Sequence, residues 1–181
     1  GLDPRTDADL KPEPEPEPEP EPKPEPEPGD EYYLPPEMKE AVAIYYELDA
    51  LNQQIFEIYN PVQVAMAGTF DRYKVDVLPL AVEACRSIQP IVNEMVQLCG
   101  DSTYWADFKA IAQSYSSTLP KAIELFTRVG NTDPDEITEA DEKAVMDLYT
   151  ALSTHWGDQA RYLAEFSNTH SEEVMAYRYN M

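Results

Sequence analysis

The 181-residue sequence has little glycine, cysteine or histidine: six, two and two residues. None of the glycines forms a Walker or GxGxxG loop, so the sequence carries no nucleotide-binding motif. Neither His155 nor His170 follows a glutamate by three residues, because Leu152 and Ser167 occupy those positions. The Glu-x-x-His pairs of di-metal sites in helical bundles are therefore missing.

Basic residues are also scarce, with 13 lysines and arginines against 35 aspartates and glutamates and a formal net charge of -22. Such a chain is repelled by phosphate backbones and anionic lipid surfaces, so we expect no nucleic-acid partner. No uncharged apolar run approaches the length of a membrane span, because charged residues interrupt the most apolar region. These are Asp71, Arg72, Lys74, Asp76 and Glu83.

Proline, in contrast, is abundant and concentrated near the start of the chain. Every second residue from Lys11 to Pro28 is a proline, and the residues between are almost all glutamates. This alternation excludes helix and sheet and favours an extended polyproline II chain, about 50 Å long at ~3.1 Å per residue. We therefore predict a disordered Pro/Glu-rich spacer over residues 1–31 and a folded domain over residues 32–181. The alternative, a ligand for SH3-like or WW-like grooves, is opposed by the glutamates.

The chain begins with Gly1 rather than methionine, which indicates either a removed leader or an expression scar. Its Pro-Glu segment resembles the spacer of bacterial envelope proteins and lipoproteins, in which an anchored N-terminus precedes a folded domain. The resemblance implies a lipid-anchored or secreted protein of the cell envelope or extracellular space, with the leader removed and an N-terminal lipid anchor lost from this chain.

From Pro36 onward, apolar residues recur every three or four positions, which is typical of amphipathic helices. Four such stripes follow one another, and no alternating strand pattern occurs. They comprise Met38, Ala41, Tyr45, Leu48, Ile55, Tyr59, Val62 and Met66; Val77, Ala81, Ala84, Ile88, Ile91, Met95 and Leu98; Tyr104, Phe108, Ile111, Tyr115, Leu119, Ala122 and Phe126; and Val145, Leu148, Leu152, His155, Tyr162 and Phe166. We predict an all-α domain, an antiparallel four-helix bundle.

Several residues predict where these helices begin, bend and end. Asp76 is an expected N-cap, Thr138 with Asp141 forms a capping box, and Gly100 and Gly130 are expected stops. Pro90 and Pro120 should bend their helices, whereas Pro61 either kinks one long helix or begins a new one. The pattern of the fourth helix extends to Tyr179.

The segment from Asn131 to Glu142 is the most specific hint of a metal site. It has oxygen-bearing side chains at positions 1, 3, 5, 9 and 12 of an EF-hand-like loop, which would suit calcium. Glu136, however, occupies the position that needs glycine, and Pro134 stiffens the loop. The alternative is an acidic approach to a helix N-terminus, where carboxylates are favoured by the helix dipole.

Other polar residues fall on apolar faces. We expect His155 to be a hydrogen-bonded structural residue; the alternative is a metal cluster with Asp158 and Glu165. Asn52 is interpreted as a hydrogen-bonded amide, or as a polar residue that sets helix register. Cys85 and Cys99 should be buried free thiols, since 14 residues of helix would separate them by about 21 Å.

No residue combination predicts a catalytic, cofactor or metal site, so we expect a protein that is not an enzyme. The leading hypothesis is a non-enzymatic binding or structural module on the cell envelope. Calcium binding through residues 131–142, or an enzymatic helical bundle, is the alternative. Tyrosine is enriched at binding surfaces, and exposed members of its set of twelve would mark a protein partner's site. The set is Tyr32, Tyr33, Tyr45, Tyr46, Tyr59, Tyr73, Tyr104, Tyr115, Tyr149, Tyr162, Tyr177 and Tyr179.

Overall fold

A computed structural model describes residues 33–179 of the protein. The predicted Pro-Glu spacer, and its predicted boundary with the domain after residue 31, lie outside these residues. The described chain contains helices and no strand, which confirms the all-α prediction. Its five α-helices are α1 (Pro36–Met66), α2 (Val77–Cys99), α3 (Ala106–Gly130), α4 (Glu139–Thr169) and α5 (Ser171–Tyr179). None of these helices is long and apolar enough to cross a membrane.

Consecutive long helices pack against each other, α1 on α2, α2 on α3 and α3 on α4, and α4 also packs on α1. The short helix α5 lies against both α1 and α4. Each of the three connections between the long helices contains one 3-10 turn, at Arg72–Lys74, Thr103–Trp105 and Pro134–Glu136. The first and last of these turns contact each other.

The apolar stripes meet in one core between the long helices. Its largest fully buried side chains include Trp105, Phe108, Tyr115 and Phe126. Burying an aromatic side chain removes about 200 Å² from water, which stabilises the fold by up to about 5 kcal/mol. The Trp105 indole N–H also finds a partner, since it donates to the Ala41 carbonyl at 3.1 Å. This bond ties the start of α3 to α1.

Three prolines lie inside helices that continue past them. Pro61 belongs to α1, which runs unbroken to its end, so Pro61 does not begin a new helix. Pro90 and Pro120 similarly lie within α2 and α3. All three are exposed, so a carbonyl that loses its helical donor can meet water or a side chain. The Ser116 carbonyl, four residues before Pro120, receives a long bond from Gln89 Nε2 at 3.5 Å.

The helix ends follow the predictions in part. The capping box of α4 is confirmed, since the Asp141 amide donates to Thr138 Oγ1 at 3.0 Å and the Thr138 amide to Asp141 Oδ2 at 3.5 Å. Gly100 ends α2 with a φ of 52°, a left-handed value that glycine adopts readily. Asp76 precedes α2 as predicted, but its side chain makes no capping hydrogen bond.

Gly130 ends α3 as predicted. It is the last residue of the helix, and Asn131 is the C-cap. A methyl group on Gly130 would lie 3.3 Å from Leu78 Cβ, so this glycine allows α3 to approach the start of α2 closely. The prediction of one helix reaching Tyr179 is wrong. The chain turns at His170, where φ is -117° and ψ is 39°, and α5 begins at the next residue.

Candidate binding site

A groove of about 380 Å³ runs along the seam between α1 and α4. On α1 the groove is lined by three residues spaced four apart, Tyr45, Asp49 and Gln53. The helical period places their side chains on one face of the helix. On α4, Trp156 and Ala160 repeat the same spacing. The groove is open where α4 presents alanine, because a methyl group fills little of the space between the helices.

Asn52 lines the groove and is hydrogen-bonded to a second amide, Gln159, beneath it. Gln159 Nε2 donates to Asn52 Oδ1 at 2.8 Å, and both side chains are buried. The Trp156 indole N–H donates to the Asn52 backbone carbonyl at 2.9 Å. The interpretation of Asn52 as a hydrogen-bonded amide is thus confirmed. Gln159 Oε1, however, is buried and has no hydrogen-bond partner among the described residues.

The carboxylate of Asp49 has no counterion among the described residues. It is half-buried on the wall of the groove. It forms no ion pair or hydrogen bond with any side chain or backbone group between residues 33 and 179. Burial raises the pKa of Asp49, and burial is the sole cause of the shift. A partly desolvated negative charge without a counterion favours the binding of a cation.

The groove continues into an apolar edge at Phe56. This side chain is 40% exposed, and its ring centroid lies 5.4 Å from that of Trp156. Seven residues of helix separate Asp49 from Phe56, or about 10.5 Å along the α1 axis. The site therefore offers an acidic group and an aromatic pair, of which Phe56 is exposed and Trp156 half-buried, about two helical turns apart.

A second pocket, of about 340 Å³, lies on the other side of α4 and is lined by Tyr104, Tyr162, Glu165 and His170 among others. The Tyr162 hydroxyl donates to the Tyr104 carbonyl at 2.7 Å. His170 packs against the Tyr104 ring, with centroids 5.8 Å apart. Tyr162 and His170 are thus engaged within the protein.

The tyrosines do not form one exposed cluster. Among those described, Tyr59 and Tyr115 are buried, and Tyr33, Tyr73 and Tyr179 are exposed. The other six are half-buried at the edge of the core. Of these, Tyr45 lines the α1–α4 groove, and its ring stacks on Phe166 with centroids 5.6 Å apart.

His155 is held by hydrogen bonding and stacking. Its Nε2 lies 3.0 Å from Thr118 Oγ1, and its ring stacks on Tyr115 at 5.5 Å. The Thr118 hydroxyl donates to the Ser114 carbonyl at 2.9 Å, so His155 is the donor toward Thr118 and does not activate this hydroxyl as a nucleophile. Burial lowers the pKa of His155.

The hypothetical metal cluster of His155, Asp158 and Glu165 is not formed. Within residues 33–179, no three or more histidine, cysteine, aspartate or glutamate side chains are grouped so that they could hold a metal ion. Asp158 instead accepts from Arg161 at 2.8 Å.

The acidic segment 131–142 directs its carboxylates to separate partners. Asp133 caps the 3-10 turn by accepting from the Asp135 amide at 2.9 Å. Glu142 accepts from Arg72 Nε at 3.1 Å and from the Arg72 amide at 2.7 Å. Hydrogen bonding to Arg72 lowers the pKa of Glu142, as hydrogen bonding to Arg128 lowers that of Asp141. The segment thus resembles the acidic approach to α4 more than a calcium loop.

Both cysteines are buried and free, as predicted. Burial raises the pKa of Cys85 to about 12 and that of Cys99 to about 11. Neither side chain therefore forms the thiolate that nucleophilic chemistry requires near neutral pH.

Sequence patterns did not single out the groove, although one signal was present. Asp49 lies four residues after Tyr45 and three before Asn52, so it interrupts the α1 stripe with a charge. That Trp156 lines the same groove as Asp49 depends on the pairing of α1 with α4. The chain as a whole matches no protein-family model, no curated protein and no solved structure.

Proposed function

We propose that this chain is a non-enzymatic binding or structural module that a Pro-Glu spacer displays on the bacterial cell envelope. The observation that carries the binding function is the open α1–α4 groove, which Tyr45 and Trp156 line together with Asp49, a carboxylate without a counterion among the described residues. Its volume falls within the range of about 300 to 1,000 Å³ that is typical of binding sites.

The proposed scaffold is an antiparallel four-helix bundle, with α5 as a short addition. Packing of each long helix on the next, and of α4 back on α1, supports this arrangement. A bundle places the groove on rigid helices rather than on loops, which reduces the entropy lost when a partner binds. An experimental structure in which α1 does not neighbour both α2 and α4 would contradict it.

The envelope location is supported by the alternating Pro-Glu sequence, which would hold the domain on the order of 50 Å from an anchor. Labelling the native protein with radioactive palmitate in its host, followed by cell fractionation, tests this part. We expect labelled protein in the envelope fraction. A native protein found in the cytoplasm, translated from a gene without a leader, would refute it.

Binding through the groove is tested by site-specific photo-crosslinking in cells. A photoreactive phenylalanine analogue is placed at Gln53, an exposed position on the groove. The control is the same analogue at Glu94, an exposed position on α2. We expect a discrete protein adduct from Gln53 alone. Equal adducts from both positions, or none from either, would contradict binding at this site.

A further inference from the structure

We propose that the α1–α4 groove receives a basic side chain, arginine or lysine, from an extended segment of a partner protein. In this complex Asp49 is the counterion, and the aromatic edge formed by Phe56 and Trp156 holds an apolar residue of the same segment. The inference rests on the proposed binding function and adds the chemistry of the partner.

The first argument is the unsatisfied charge. Asp49 is partly withdrawn from water, and no group between residues 33 and 179 donates to it. Carboxylates that are partly buried in this way are normally paired, because desolvation disfavours their charged form. An arginine or lysine from outside would restore the missing interaction with a charge-assisted hydrogen bond.

The second argument is the aromatic lining. Tyr45 and Trp156 belong to the same groove as Asp49. Aromatic faces attract cations through the ring quadrupole, and the effect is stronger where water is excluded. Together, the carboxylate and the two rings suit an organic cation better than a neutral or acidic group.

The third argument is charge complementarity. Residues 32–181 contain 10 basic and 23 acidic side chains, so the domain attracts basic segments and repels acidic ones. The long-range field raises the encounter rate, whereas Asp49 supplies the specific contact. Exchanging charges elsewhere on the surface should therefore have a much smaller effect than changing Asp49.

Spacing defines the segment further. The separation of about 10.5 Å between Asp49 and Phe56 along α1 is close to three residues of polyproline II chain at about 3.1 Å each. In a polyproline II conformation, with three residues per turn and about 3.1 Å per residue, a basic residue at position i and an apolar residue at i+3 lie on the same side and would reach both parts of the groove.

The experiment uses the full chain and a fluorescein-labelled probe peptide of glycine and serine. The peptide carries one arginine and, three residues later, one leucine. Fluorescence anisotropy at physiological salt measures Kd, and a matched peptide with neutral citrulline in place of arginine measures the contribution of charge. We expect saturable binding, about tenfold or more weaker for the citrulline peptide.

Two protein variants locate the site. Asp49→Asn removes the charge with little change of shape, and its control is Glu47→Gln, an equal change of charge at an exposed position on α1. Ala160→Leu fills the groove, and its control is Ala140→Leu, at an exposed position of α4. We expect Kd to rise about tenfold or more in the two groove variants and to remain within about twofold of wild type in the controls.

The outcomes separate this inference from the broader function. If Asp49→Asn and Glu47→Gln weaken binding of the arginine peptide equally, the effect is one of long-range charge alone. That result would overturn the inference. A dimer that Ala160→Leu dissociates in sedimentation would also overturn it, because a second copy would then cover the groove. Crosslinking at Gln53 in cells without binding of the arginine peptide would refute the cationic partner and leave the binding function standing.

Discussion

Asn52 and Gln159 form a buried hydrogen-bonded pair. Replacing one of the two amides should lower the stability more than replacing both. In Asn52→Leu, a side chain of nearly the same shape replaces the amide, so Gln159 Nε2 loses its acceptor at 2.8 Å. Its remaining neighbour is Met95 Sδ at 3.5 Å, a weak acceptor, and Gln159 Oε1 already lacks a partner among the described residues. Two buried polar atoms would then be poorly satisfied.

The expected cost of Asn52→Leu is about 2 kcal/mol of unfolding free energy, the usual penalty for a buried group left without its partner. Gln159→Met should cost less, about 1 kcal/mol, because it also removes the unsatisfied Oε1. In the double variant no orphaned amide remains. Its stability should lie within about 1 kcal/mol of wild type, so the coupling between the two sites is about 2 to 4 kcal/mol.

Urea denaturation followed by far-ultraviolet circular dichroism measures all four proteins of this cycle. In thermal melts, Asn52→Leu should lower Tm by about 4 to 8 °C, at about 2 to 4 °C per kcal/mol for a chain of this size. Gln53→Leu, an exposed neighbour, is the control and should change the stability by less than about 0.5 kcal/mol. If the double variant loses the sum of the two single effects, the amides are not coupled and this reasoning is refuted.

Three further predictions concern other parts of the fold. Cys85 and Cys99 should react slowly with a thiol reagent in the native state and quickly in urea, because burial raises the pKa of both thiols; fast native labelling of Cys85 would contradict this. Gly157→Ala should raise the stability by about 0.5 to 1 kcal/mol, since Gly157 lies within α4 and an added Cβ meets no atom within 4 Å; a lower urea midpoint would show an unseen clash. Burial lowers the pKa of His155 from its ordinary 6.5, so the unfolded chain takes up a proton at higher pH than the folded chain does. Stability should therefore decrease as pH falls through about 6.5, and less so in His155→Gln; equal pH profiles of the two proteins would refute this contribution.

Much of the helical structure was predictable because its causes are local. The stripes of α2 and α3 repeat every three or four residues, and their buried members include Ile88, Met95, Tyr115 and Leu119. The capping box at Thr138 was equally readable, since both partners lie within four residues of each other. Such features depend on backbone geometry that neighbouring residues establish among themselves.

Local rules failed where distant contacts compete with them. Nothing in the pattern around His170 separates α4 from α5, yet the chain turns there and α5 packs back on α1. Its contacts include a hydrogen bond from the Tyr46 hydroxyl to the Val174 carbonyl at 2.9 Å. Gly130 ends α3 as predicted, but only the packing of α3 on α2 shows that a methyl group added there would lie 3.3 Å from Leu78 Cβ.

The sequence by itself determined the helical class, the acidic charge and the burial of the two thiols, because composition and periodicity act over a few residues. Only the tertiary structure decided that Asp49 lies in a groove with Trp156, more than 100 positions away along the chain. It also decided that Asn52 bonds to Gln159 rather than to another polar group. Amphipathic stripes specify which face of a helix is buried, but the choice of neighbouring helix depends on how all the faces pack together.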